Sequence, residues 1–188
     1  MPKETYYHLE EEKRKKIYNV LVEEFKEKSI NEATVTDIVT KLNIPRGSFY
    51  QYFDSIYESY FYVLSKEIRD LHCLLSELIN KYSNDFQNLF VHFGKEIISE
   101  LFDERKYYLY KNRYLYFDAS IEEKWKDYFQ KNNILEEYPS SLSDKEKIRF
   151  IGSIIHSLIK RLFQENWSEE EFLNKYEMYI EWIMKGVN

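Results

Sequence analysis

Only four glycines and three prolines punctuate a chain of 188 residues. That scarcity constrains the fold more than any other feature. A β-sandwich or barrel needs frequent turns built on such residues, and an enzyme that cradles phosphate in a glycine-rich loop needs a cluster of them. Neither is available. The chain is long enough for one or two domains with a real core, and 44% hydrophobic against 32% charged residues reads as globular. A lone cysteine, Cys73, excludes an intrachain disulfide and a multi-cysteine zinc site and fits a reducing compartment. The composition leaves an all-helical protein.

The formal net charge is -6, so the chain as a whole is not a polybasic binder of nucleic acid or membrane. The longest uncharged stretches, such as Phe150 to Ile159, are too short to span a bilayer, and Met1-Pro2-Lys3-Glu4 opens no apolar signal-peptide core. A cytoplasmic protein with no membrane partner is expected.

Helical periodicity is strongest near the N-terminus. Ile17, Leu21 and Phe25 give a helix over about Leu9 to Lys28 one apolar face. Val35, Ile38, Val39 and Leu42 follow at i, i+3, i+4 and i+7, with Thr34 and Asp37 placed as a capping box. Asn43-Ile44 breaks that helix. Pro45 suits the first position of the next, which holds Phe49 and Phe53 inward and leaves Arg46, Gly47, Ser48, Tyr50, Gln51 and Tyr52 on its other face. From Ser55 to Ile79 one long helix is expected, on the seam Tyr57, Phe61, Leu64, Ile68, Leu71, Leu75 and Leu78. Further helices are expected near 84–103, 105–118, 121–132, 143–165 and 168–186. Tyr138-Pro139-Ser140-Ser141 is the clearest loop, and Ser143 with Glu146 and Ser168 with Glu171 are two more capping boxes.

Two short helices joined by a tight turn, the second polar outside, have the pattern of a helix-turn-helix. In that geometry Thr34 and Thr36 meet phosphate at a helix N-terminus, and Arg46 grips a guanine edge or a phosphate while Gln51 pairs with adenine. Gly47 lets backbone approach DNA, and the hydroxyls of Ser48, Tyr50 and Tyr52 reach phosphates. Lys41 and the run Lys13 to Lys16 add charge. The plainer readings are half-buried packing for Tyr50 and Tyr52 and a solvated face for the basic run.

Ala33-Thr34-Val35-Thr36-Asp37-Ile38-Val39 followed by Leu42-Asn43-Ile44-Pro45-Arg46-Gly47-Ser48-Phe49-Tyr50-Gln51-Tyr52-Phe53 resembles the signature of TetR-type transcriptional regulators. Arg14, Ile17, Leu21 and Phe25 fall on that family's first-helix positions, so the likeness spans roughly residues 14–64. The resemblance implies an all-α dimer. Its DNA-binding domain would cover residues 1–54, and its ligand-binding and dimerisation bundle residues 55–188. It implies repression of a palindromic double-stranded DNA operator until a small-molecule inducer binds. The groove-reading helix falls on Pro45 to Phe53, the backbone-contacting hydroxyl on Thr36, and the tyrosine contacts on Tyr50 and Tyr52. One departure stands out. Ile56 replaces the family's phosphate-contacting lysine. Residues 1–55 carry nine basic and ten acidic groups, so binding is expected to lean on base contacts and dimer geometry.

For the homodimer the expected interface is the stripe Ile151, Gly152, Ile155, Leu158 and Leu162 with Tyr176, Ile180 and Ile183 on the last helix. Ordinary monomer core is the other reading of both stripes. The aromatic-dense middle of the chain suits a flat or greasy ligand, and the expected contacts are Phe93, Tyr110, Tyr114, Phe117 and His156, with plain packing as the alternative. Arg105, Lys106, Lys111 and Arg113 leave the ligand's charge open. His72, His92 and His156 show no metal-ligand spacing, and no metal or cofactor is expected. Ligand entry is expected to shift the Ser55–Ile79 helix and spread the two reading heads. No HExxH, GxSxG or P-loop motif points to an enzyme. The alternative to a regulator is a helical small-molecule-binding or scaffold protein whose DNA unit no longer functions.

Overall fold

The computed structural model describes residues 1–69, 71–82, 85–132 and 142–185, and among these the chain is helical throughout with no strand. In chain order the helices begin with α1 (Glu4–Tyr7), α2 (Glu11–Glu27), α3 (Val35–Leu42), α4 (Arg46–Tyr52) and α5 (Ile56–Glu67). There follow α6 (Leu71–Tyr82), α7 (Phe86–Leu101) and α8 (Tyr107–Tyr116). The last three are α9 (Ala119–Lys131), α10 (Leu142–Glu165) and α11 (Glu169–Lys185). They pack as two compact units, residues 1–68 with 108–135 and residues 69–107 with 136–188.

In the first unit α2 packs on α3 and α5, α3 on α4, α1 on α4, and α5 on α9. Ile17, Leu21 and Phe25 of α2 and Val35, Ile38, Val39 and Leu42 of α3 are all buried, as their spacing requires. Each such side chain contributes about 1.5–3 kcal/mol of apolar burial. α5 is central: six consecutive residues, Ser59 to Leu64, are buried, so it is covered on every side rather than along one stripe. Its N-terminus is set by Ser55, whose Oγ accepts the Glu58 amide at 3.2 Å.

The long helix expected from Ser55 to Ile79 is two helices. α5 ends at Glu67 and Ile68 is extended, φ -114° and ψ 140°. Ile68 packs against the core of the first unit, whereas Leu71, Leu74, Leu75 and Leu78 are buried in the second. One apolar seam therefore serves two cores, which spacing alone cannot reveal. α1 is also absent from the sequence expectation, because four residues are too few for periodicity to register.

In the second unit α6 packs on α7 and α10, and α11 on α7 and α10. Phe90, Phe93, Ile97, Leu158, Leu162 and Phe172 are buried there. The Tyr176 hydroxyl donates to the Phe90 carbonyl at 2.8 Å within this core. Asn166, at φ 53°, ends α10 in the left-handed region, and α11 opens with the expected capping box. The Glu171 amide donates to Ser168 Oγ at 3.2 Å and the Ser168 amide to Glu171 Oε2 at 2.8 Å. The expected loop Tyr138-Pro139-Ser140-Ser141 lies outside the described residues, as does the side chain of Ser143, whose backbone is already inside α10.

Candidate nucleic-acid interface

α3 and α4 are joined by the turn expected at Asn43-Ile44. Asn43 caps α3 in the left-handed conformation, φ 54° and ψ 51°, and the Ile44 amide bonds back to the Val39 carbonyl at 3.1 Å. The N-terminus of α3 has the expected box: Thr34 Oγ1 accepts the Asp37 amide at 3.1 Å and donates to Asp37 Oδ2 at 2.7 Å. Pro45 is the N-cap of α4 rather than its first helical residue. Phe49 and Phe53 anchor α4 in the core, leaving Pro45, Arg46, Gly47, Tyr50 and Gln51 exposed and Ser48 half-buried.

Arg46 ties the two helices together on that exposed face. Its Nη1 donates to Thr36 Oγ1 at 2.8 Å and its Nη2 to the Tyr50 hydroxyl at 3.3 Å. The guanidinium lies 5.8 Å from the Tyr50 ring centroid. Arg46, Thr36 and Tyr50 thus form one preorganised cluster of donors and acceptors, the chemistry that reads base edges and phosphates. A Cβ placed on Gly47 would meet nothing within 4 Å, so nothing inside the protein requires glycine there. Tyr52 sits differently: it is buried, edge-on to Tyr6 with ring centroids 6.3 Å apart.

Lys41 is committed inside the protein. Its ammonium pairs with Glu24 at 2.8 Å and with Glu27 at 2.7 Å, and Lys28 joins Glu24 and Asp37 at 3.0 Å each. Glu24 has no exposed side-chain surface. These carboxylates hold the Lys41 ammonium well above its ordinary value. Lys41 in turn lowers Glu27, while the Thr34 hydroxyl and then Lys28 lower Asp37. In the basic run Lys15 pairs with Glu11 at 2.6 Å and Arg14 donates to the Tyr7 carbonyl at 3.2 Å. Ile56 is half-buried and packs against the core. Lys3 and Thr5, outside the expected contact set, bond to carbonyls of α4.

Residues 17–58 match the family described as bacterial regulatory proteins, tetR family. Residues 86–186, more than half of the chain, match the family described as tetracyclin repressor, C-terminal domain. The chain belongs to the TetR family. Its fold resembles that of a protein from Syntrophomonas wolfei described as a TetR-family transcriptional regulator. Their TM-score is 0.62 at 16% identity, over 94% of this chain and 97% of that one. A TetR-family regulator from Chloroflexus aurantiacus aligns over 93% of this chain and 98% of its own with a TM-score of 0.35 at 19% identity. No curated protein sequence matches. TetR-family proteins are DNA-binding transcription regulators and not enzymes. Among the described residues no helix is long and apolar enough to cross a membrane.

Of the residues expected to hold a ligand in this TetR-family chain, Phe93 and His156 belong to the second unit and Tyr110, Tyr114 and Phe117 to the first. Phe93 and Tyr110 are buried; the other three are half-buried. None of the four nearby cations is without a partner. Arg105 pairs with Asp103 and Lys106 with Glu100, and Arg113 lies 5.2 Å from the ring centroids of both Phe117 and Trp125.

On α10 and α11 the expected interface residues Ile151, Gly152, Ile155, Leu158, Leu162 and Tyr176 are buried within their own unit, and Ile180 and Ile183 are half-buried. The apolar groups these helices expose are others: Phe150 is 62% exposed and Trp182 50%. An open groove beside them is lined by Arg149, Phe150, Ser153, Ile154, Ser157 and Tyr179.

Proposed function

We propose that this regulator is a homodimeric repressor that reads a palindromic double-stranded DNA operator with α4 and is released by a small-molecule inducer. The observation that carries the reading is the Arg46–Thr36–Tyr50 cluster, exposed on two helices and held before any DNA arrives. Gln51, Ser48, Pro45 and the open flank of Gly47 complete the groove-reading surface, with Thr34 and Lys41 exposed towards the two ends of α3 and buried Tyr52 supporting it from within. In functional terms residues 1–54 form the DNA-binding part and residues 55–188 the part that dimerises and binds ligand, in the cytoplasm.

A symmetric operator needs two reading helices about 34–36 Å apart. For the second copy the proposed contact is the exposed side of α10 and α11, with Phe150, Ile154, Tyr179 and Trp182 as apolar anchors and Ser153 and Ser157 permitting close approach. Ile180 and Ile183 border it; the stripe from Ile151 to Leu162, with Tyr176, supports it from behind. Tyr110, Tyr114 and Phe117 within the first unit, and Phe93 and His156 within the second, remain the proposed inducer contacts, each taken in its own unit. The signal reaches α4 through α5, which follows it after a short connection. By linkage the operator weakens inducer binding by the same factor that inducer weakens operator binding.

Selection of duplexes from a random library, at low and then near-physiological salt, tests the reading. Recovery of a palindrome that survives the higher salt supports it. No enrichment by a folded dimer, freed of copurified small molecules by refolding, would instead support a helical scaffold with an idle DNA unit.

A further inference from the structure

α4 has seven residues, and so short a helix is marginal on its own. Its last four carbonyls have no partner within the helix, and no glycine follows to close it. All four are nonetheless bonded. The Phe49 carbonyl accepts the Phe53 amide at 2.9 Å. The Tyr50 carbonyl accepts Lys3 Nζ at 2.8 Å, the Gln51 carbonyl accepts the Thr5 hydroxyl, and the Tyr52 carbonyl accepts the Lys3 amide at 2.8 Å. Three of the four caps come from a segment nearly fifty residues earlier in the chain.

That segment is itself fixed. Tyr6 has no exposed surface and packs on Phe53 and Tyr62, with ring centroids 5.4 and 5.8 Å away. Lys3 also pairs with Asp54 at 2.7 Å, just past the end of α4. Its ammonium therefore sits at the negative end of the helix dipole. Two of the capped carbonyls belong to Tyr50 and Gln51, whose side chains face outward for DNA. Whatever holds those carbonyls holds the pitch and azimuth of the last reading turn.

We propose that Lys3 and Thr5 are positioning residues for DNA readout, acting through the carbonyls of Tyr50 and Gln51 so that the segment ahead of α2 sets sequence discrimination. This rests on the DNA-binding reading above. Thr5 acts without charge, and Lys3 acts by capping rather than by touching phosphate. The mechanism is preorganisation: a last turn that frays must be re-formed on the operator, and that re-forming weakens correct and incorrect sequences unequally.

The test uses the full chain with Thr5→Val and Lys3→Met, singly and together, beside the conservative Thr5→Ser and Lys3→Arg. Hydrogen exchange of residues 46–53 in the free protein is read first. Exchange should accelerate in the first pair and stay near wild type in the second. Binding is then measured to a duplex selected from a random library by the wild type and to a scrambled duplex of equal length. The double variant should lose about tenfold in the ratio of the two affinities, the combined effect of two ordinary hydrogen bonds, with the scrambled duplex and the overall melting temperature little changed. Unchanged exchange overturns the capping. Faster exchange with an unchanged ratio overturns the positioning role and leaves only a structural one. A wild type that enriches no duplex overturns the DNA-binding reading itself, and is told apart because the exchange result stands without DNA.

Discussion

Gly94 of α7 and Tyr176 of α11 meet with no room for a methyl group between them: a Cβ on Gly94 would lie 2.5 Å from Tyr176 Cε1. The ring is held in place by its hydroxyl, which donates to the Phe90 carbonyl at 2.8 Å one turn earlier on α7. Gly94 thus sets how closely the two helices approach. Gly94→Ala should destabilise the fold by about 1–3 kcal/mol through overpacking, read as an earlier urea midpoint. Gly94→Ala with Tyr176→Leu should cost less than the sum of the two single losses, because the obstructing ring is gone. An unshifted midpoint in the single variant would contradict the contact.

Gly47 presents the opposite case, with open space where a side chain would go. Gly47→Ala should leave the free protein as stable as wild type or up to about 1 kcal/mol more stable. DNA affinity should nevertheless fall, because the space is needed by the duplex. A melting curve and a fluorescence-anisotropy titration on a selected duplex separate the two effects; equal DNA affinity would mean the backbone does not approach DNA there.

Arg46→Ala and Tyr50→Ala remove exposed side chains joined to each other and to Thr36. Each should weaken specific binding by about 1–3 kcal/mol, and the double variant by less than the sum, since they share one network. Melting temperatures should move little. Additive losses would mean that Arg46 and Tyr50 act independently on DNA.

Lys41 is shared between Glu24 and Glu27, so its charge is partly neutralised before it can meet phosphate. Glu27→Gln should strengthen binding to a scrambled duplex and steepen the salt dependence by up to about one counterion per protomer. Its effect on stability should stay below about 1 kcal/mol, as for other exposed pairs. The wild type, with its acidic reading unit and Ile56, should release no more than about 4–6 counterions per dimer. Affinity unaffected by Glu27→Gln would place Lys41 away from DNA.

Acid should loosen the reading unit in a defined direction. Asp37 is held below its ordinary value by the Thr34 hydroxyl and Lys28, Glu27 by Lys41, and Glu32 by the Ser29 hydroxyl and amide. A carboxylate with a lowered folded-state value stabilises fully above its unfolded value, near 4 for these groups. That contribution is lost as pH falls from there through the folded-state values. Urea midpoints measured from pH 6 downward should therefore drop below about pH 4. Asp37→Asn should make the drop shallower, and an identical slope would show that the cap carries no pH dependence.

What the sequence determined by itself is what neighbours along the chain decide. Ile17, Leu21 and Phe25, the Val35 to Leu42 set, and the Phe49 and Phe53 pair fix buried faces through spacing alone. Thr34 with Asp37 and Ser168 with Glu171 fix helix starts, and Asn43 fixes the turn, because each depends on atoms within four residues. The family signature in residues 33–53 is equally local.

Tertiary structure decided the rest, because periodicity reports that an apolar face exists and not what covers it. α10 is apolar on more than one side, and only packing turned Ile151, Ile155, Leu158 and Leu162 inward while leaving Phe150 in solvent. The seam from Tyr57 to Leu78 keeps one spacing across Ile68 although its halves enter different cores. Lys41 has the look of a free phosphate contact until Glu24 and Glu27, on a different helix, are brought within 2.8 Å of it. Lys3 and Thr5 reach the end of α4 across nearly fifty residues of chain. Contacts at that separation follow from how helices pack, and no local pattern encodes them.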